Sequence, residues 1–145
     1  SIPEAVEDAK ANAACNGRNN TAFYAGYAEE LLPRWVKSGF TPDVIVADPP
    51  AFIKRKKDMK NGEGAYRRLN EQAMRLLSKD GILVSASCSM HLPEDDLQNI
   101  LLTSARHLDR NIQMLERGGQ GLRRRRHLLG PGIDLLRRDI NQESV

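Results

Sequence analysis

The chain has 145 residues, 40% of them hydrophobic and 28% charged, with a net charge of +3. That balance fits one soluble globular domain with its own core and excludes a disordered or collagen-like chain. No apolar run approaches the roughly 20 residues that span a bilayer, and the cysteines, Cys15 and Cys88 alone, exclude a disulfide framework.

Ser1-Ile2-Pro3-Glu4 has no basic region followed by an apolar stretch, so no signal peptide is expected and the protein is placed in the cytoplasm with reduced thiols. The same residues predict a helix start, with Ser1 as cap and Glu4 closing a capping box. Ile2, Val6, Ala9 and Ala13 recur at helical spacing, and Asn16-Gly17 ends the helix. Cys15 falls inside it as a packing residue. Thr21 to Ala25 is a strand candidate. Leu31, Leu32, Trp35 and Val36 mark one face of a second helix, with Trp35 expected to anchor it to a sheet. Asp43 to Ala47 predicts a buried strand.

Pro49 to Gly64 is rich in Lys, Gly and Asn and predicts a loop. Tyr66, Leu69, Ala73, Leu76 and Leu77 then describe an amphipathic helix. Lys79-Asp80-Gly81 turns into a strand over Ile82 to Ala86. Pro93 with Glu94, Asp95 and Asp96 opens another helix, with carboxylates at the positive end of its dipole. Asn111 to Leu115 predicts a weak last strand. Strict alternation of helix and strand argues for an α/β fold with a mostly parallel sheet. From Gly118 the texture changes: a glycine-rich linker, then Arg123 to Arg126. Residues 1–117 are therefore expected to form the catalytic domain and 118–145 a basic tail.

Two short motifs close predicted strands. Asp48-Pro49-Pro50 follows Val44-Ile45-Val46-Ala47, and Ser87-Cys88-Ser89 follows Ile82-Leu83-Val84. In a parallel sheet the C-terminal strand ends line up along one edge, where ligands bind. A carboxylate and a thiol distant in sequence are thus expected side by side in a cleft. Cys88 at a strand end between two serines suits an exposed nucleophile, against the plainer reading of a small buried residue. Asp and Pro are also common in strand-ending turns. Lys54 to Lys57 and Arg67-Arg68 could hold phosphates or simply be solvated. His91, His107 and His127 lack metal-ligand spacing, so no metal is expected.

Residues 43–117 resemble the RNA (cytosine-carbon-5) methyltransferases that act on 23S ribosomal RNA. The resemblance rests on Asp48-Pro49-Pro50-Ala51-Phe52, Gly64-Ala65-Tyr66-Arg67-Arg68-Leu69-Asn70, Leu76-Leu77, Gly81-Ile82-Leu83 and Ser87-Cys88-Ser89. Residues 1–32 are similar to the 5-methyluridine RNA methyltransferases, where a Ser-Ile-Pro-Glu-Ala-Val helix follows the second strand of a Rossmann-like sheet. Both families are class I enzymes that use S-adenosyl-L-methionine.

The resemblance implies an incomplete Rossmann-like methyltransferase fold, without its first two strands and its closing strand. The glycine-rich cofactor loop would precede the chain, and no G-x-G-x-x-G stands at a strand-helix junction here. With those strands absent, the strand at Thr21–Ala25 would lack its natural neighbour, and the chain is expected either to be marginal or to repair the gap by pairing Thr21–Ala25 with Asp43–Ala47. Cys88 would be the nucleophile that adds to carbon 6 of cytosine. Asp48 would orient the base. Pro49 and Pro50 would stiffen its backbone, and Phe52 would stack on the base. Lys54, Arg55 and Arg67 would meet the ribosomal RNA beside a flipped nucleotide. Tyr27 and Ala28, where the family carries an Asp facing adenine, together with Asp48, would touch the cofactor. Two rival readings stand beside this one: an amino-group methyltransferase built on Asp-Pro-Pro, and a non-catalytic, vestigial RNA-binding fragment.

Overall fold

The computed structural model describes residues 2–119 and 132–138. Helix α1 spans Ile2–Cys15 and α2 spans Ala28–Lys37. Strand β1 covers Val44–Ala47, and a 3-10 turn at Lys56–Asp58 leads into α3, Met59–Leu76. Strand β2 is Ile82–Ala86, α4 is Glu94–His107, β3 is Ile112–Gly119 and β4 is Gly132–Arg138.

The four strands form one sheet in the order β1-β2-β4-β3. β1 and β2 pair in parallel, Val44 opposite Ile82 and Ala47 opposite Ser85. β4 lies between β2 and β3 and is antiparallel to both. The other three strands therefore run the same way, as the α/β alternation predicts. The expected absence of a closing strand is overturned, because Gly132–Arg138 enters the sheet from within the stretch read as a tail. Gly118 and Gly119, read as linker, belong to β3. Arg123 to Arg126 and His127 lie outside the described residues.

Alternation along the strands sets one face of the sheet against α3 and α4. Ala47 on β1 and Leu83 on β2 point into a core with Tyr66, Ala73, Met74 and Leu77 of the α3 segment and Leu97, Leu101 and Ala105 of α4. Burying each of the large aliphatic side chains in this cluster contributes about 1.5–3 kcal/mol. The opposite side of β1 stays open: Val44 is 56% and Val46 67% exposed. At the other end of the sheet, Arg117 of β3 reaches Asp95 at 2.6 Å, tying that strand to the first turn of α4.

Thr21–Ala25, expected as a strand, is irregular loop, and β1 pairs with β2 alone among the described residues. Neither Thr21–Ala25 nor β1 therefore repairs the edge of the other. Trp35, expected to hold α2 to the sheet, instead meets Tyr24 and Phe40 edge-on, with ring centroids 5.3 and 6.1 Å away. Cys15, expected to be packed, is exposed at the end of α1. The stretch Met59 to Gly64, expected as loop, is the first part of α3. Gly17, with φ near +62°, ends α1 where the sequence places its stop.

Candidate functional site

The two strand-end motifs meet. Because β1 and β2 are parallel neighbours in register, the chain after Ala47 and the chain after Ala86 leave the sheet at the same edge. Cys88 is exposed there, and its Sγ lies 3.7 Å from the carbonyl oxygen of Pro49, a long S–H···O contact across the two loops. Asp48 is exposed as well, and its carboxylate has no hydrogen bond or ion pair among the described residues. A thiol and an unengaged carboxylate thus share one edge, available to a ligand.

The serines on either side of Cys88 are placed differently. Ser87 and Ser89 are buried, and both turn toward Tyr66 of α3, whose side chain is 0% exposed. The Ser87 hydroxyl donates to Tyr66 Oη at 2.8 Å. Tyr66 Oη and Ser89 Oγ share a second hydrogen bond at 2.8 Å. Ser89 Oγ also accepts the backbone N–H of Ile53 at 3.1 Å, and the Ser89 N–H donates to Ser87 Oγ at 3.2 Å. A buried phenol needs a partner for its hydroxyl, and here it has one on each side of the thiol-bearing residue.

The loop after Asp48 is fixed from below. Ile53 is 1% exposed and packs on Gly62 of α3; a Cβ at Gly62 would lie 2.2 Å from Ile53 Cγ1. Phe52 is half-buried and meets the Tyr66 ring edge-on, centroids 4.8 Å apart, so much of its ring is engaged within the protein. Pro49 is half-buried and Pro50 exposed. Lys54 and Arg55 project from the next residues; Arg55 Nε pairs with Asp58 at 3.1 Å and Lys54 is exposed. Arg67 is exposed on α3, outside the two strand-end loops. It lines a surface groove of about 440 Å³ between α3 and α4, with Lys60, Glu63 and Asn99.

Tyr27 caps α2 without a side-chain hydrogen bond and is 67% exposed; Ala28 is the first helical residue. The N–H groups of Glu30 and Leu31 both donate to the Tyr27 carbonyl, at 3.0 Å each, and the Tyr27 side chain caps neither Ala28 nor Glu29. Ala28 and Glu29 line a small pocket with Arg68, Leu69 and Gln72, one turn along α3 from Tyr66. The Ala28 and Glu29 amides suit a polar edge of an adenosine-type cofactor; Asp48 is not among the residues that line this pocket. Among the described residues no group of three His, Cys, Asp or Glu is placed to hold a metal ion, and no helix is long and apolar enough to cross a membrane.

The sequence singled out Cys88 and Asp48 but treated Tyr66 as one apolar position of its helix and the serines as flanks. The signal was present: a tyrosine in a core-facing stripe must place its hydroxyl somewhere.

Comparison with known proteins agrees with this architecture. Residues 1–123 match the family described as "Methyltransferase domain". An uncharacterized RNA methyltransferase from Oceanobacillus iheyensis is 57% identical over 49 residues, 34% of this chain and 11% of that protein. The match thus takes in about a tenth of the relative's length. Among solved structures, SMU.776, a candidate methyltransferase complexed with SAH, superposes with a TM-score of 0.64 at 13% identity, covering 78% of this chain and 30% of the other. A methyltransferase homolog from Pyrococcus horikoshii gives 0.65 at 18% identity, covering 90% and 49%. At these identities the structural likeness speaks for the Rossmann-like methyltransferase fold alone.

Proposed function

The chain belongs to the methyltransferase domain family, and on that footing we propose that it carries the pyrimidine-binding part of an enzyme that methylates carbon 5 of cytosine in RNA. The observation that carries the reading is the exposed Cys88 thiol on the same sheet edge as the unengaged Asp48 carboxylate, 3.7 Å from the Pro49 carbonyl. Ribosomal RNA is the substrate this reading favours, and the basic run Lys54 to Lys57 beside the site supports an RNA strand there through phosphate contacts.

Carbon 5 of cytosine is a weak nucleophile. The Cys88 thiolate adds to carbon 6, forming a C–S bond and moving electron density to carbon 5. Asp48 accepts from the exocyclic amino group and a protonated ring nitrogen, holding the base and balancing its charge. Pro49 and Pro50 have no N–H to compete for that carboxylate and restrict the backbone that carries it. S-adenosylmethionine, when bound, supplies the methyl group. Tyr27 and Ala28 at the start of α2, with Asp48, are the residues that would hold it. A base then takes the carbon-5 proton, the electron pair re-forms the C5–C6 double bond, and the C–S bond breaks to release the Cys88 thiolate.

The test is a trapped adduct. RNA carrying 5-fluorocytidine at the target cannot lose a proton from carbon 5, so the C–S bond persists. With S-adenosylmethionine, the chain is expected to form a denaturant-resistant RNA complex that Cys88→Ala abolishes. Methyl transfer surviving in Cys88→Ala would favour the amino-group reading instead. Absence of micromolar S-adenosylmethionine binding in a calorimetric titration would favour the vestigial one.

A further inference from the structure

We propose that Tyr66 is a positioning residue for the Cys88 site, a buried clamp that fixes the thiol-bearing loop against the loop that carries Asp48. The role deepens the reading of Cys88 as nucleophile and rests on it.

The hydrogen bonds form a closed circuit. The Ser89 N–H donates to Ser87 Oγ, the Ser87 hydroxyl donates to Tyr66 Oη, and the phenol proton is then free to go to Ser89 Oγ. Ser89 Oγ receives one further donor, the N–H of Ile53. Three elements therefore converge on one phenol: the end of β2, the loop leaving β1, and α3. Ser87, Ser89, Tyr66 and Ile53 are each no more than 3% exposed, so water does not compete for these bonds.

Cys88 is the one residue of its triplet that faces outward. Its neighbours are tied to the same hydroxyl from opposite sides, so the backbone at 88 cannot rotate without breaking at least one bond to Tyr66. The circuit also passes through Ile53 to the Asp48 loop. The separation of thiol and carboxylate is thus set by a residue that touches neither. Networks of this kind rigidify a site when every member is satisfied, and a catalytic constellation must be held to about half an ångström. Phe52, edge-on to the same ring at 4.8 Å, adds a contact from the Asp48 loop.

Tyr66→Phe keeps the ring and removes only the hydroxyl. In the 145-residue chain, amide hydrogen exchange at Ile53 and Ser89 is expected to quicken about tenfold or more, while Ile82, whose N–H bonds to Asp43 O away from the circuit, keeps its rate. Alkylation of Cys88 by iodoacetamide is expected to speed at least about threefold as its loop loosens, with Cys15, the other exposed thiol, as internal reference. Ser89→Ala, a smaller change, should reproduce the Ile53 and Cys88 effects and carries the test if Tyr66→Phe does not fold. An unchanged Cys88 rate, or a rise common to all slow amides, overturns the clamp. In the 5-fluorocytidine assay, Tyr66→Phe should lower the maximal adduct rate about tenfold at unchanged half-saturating RNA. Adduct formation surviving in Cys88→Ala would sink the nucleophile, while the exchange and alkylation results still decide the clamp.

Discussion

Asp48 and Cys88 are both exposed polar side chains at the open edge of a packed sheet, and neither is needed by the fold around it. The Asp48 carboxylate has no partner among the described residues, so exchanging it for the isosteric amide leaves stability within about 0.5 kcal/mol. The consequence for chemistry is different. Cytosine presents two donors to this residue when its ring is protonated; a carboxylate accepts both and an amide repels one. Asp48→Asn is therefore expected to lower methyl transfer to RNA about 10²-fold, the scale of losing one preorganised charged contact. A loss under about threefold, with the urea midpoint unchanged, would remove Asp48 from the base-holding role. These two residues were legible in the sequence because parallel strands share an edge whatever lies between them. The Tyr66 circuit was not, because a phenol 21 and 23 residues from its partners is connected by tertiary packing that periodicity alone does not encode.

Helix α3 shows the same limit at the level of an element. Its second half was visible in the spacing of Tyr66, Leu69, Ala73 and Leu76. Its first half, Met59 to Gly64, was hidden by two glycines and Asn61, all of low helix propensity, and by the lack of an apolar stripe. The structure explains one of those glycines. Gly62 is buried, and a Cβ there would meet Ile53 Cγ1 at 2.2 Å and the Phe52 carbonyl oxygen at 3.1 Å. Ile53 has nowhere to retreat, since its side chain is buried and its N–H is held by Ser89. Gly62→Ala gains about 1 kcal/mol of helix propensity but incurs an overpacking cost of about 1–3 kcal/mol. We expect a net loss of up to about 2 kcal/mol in urea unfolding. Gly64 is the internal control: a Cβ there meets only the flexible end of Arg68, at 3.3 Å. Gly64→Ala should be neutral or stabilising by up to about 1 kcal/mol. Equal behaviour of the two variants would mean that propensity, not the contact with the Asp48 loop, determines this part of α3. Thr21–Ala25 shows the converse: its local β-propensity was legible, yet it pairs with no strand among the described residues.

Taken whole, the described molecule is a sheet that α3 and α4 cover on one face, while the other face of β1 is left open. α1 has no buried side chain among its described residues, so it does not close that face. The sequence made the apolar character of Val44-Ile45-Val46-Ala47 plain and suggested burial on both sides. Burial depends on the neighbours, and β1 has one paired edge among the described residues. Val44 at 56% and Val46 at 67% exposure lie on the same side of the strand, beside an edge with no partner strand among the described residues. The strand carries no Lys, Pro or bulge of the kind that guards such edges. A second copy of the chain offers the same edge, and two such strands can pair and cover each other's valines. Sedimentation is therefore expected to show association that grows with concentration. Val46→Lys places a charge beside its own copy across that contact and should weaken the association about tenfold or more. The substitution touches no core residue, so the unfolding midpoint should move by no more than about 0.5 kcal/mol. High salt should partly restore association of the Lys variant, because screening weakens repulsion between exposed charges. If parent and variant sediment alike, the contact lies elsewhere on the molecule and the open edge of β1 is protected by some other means.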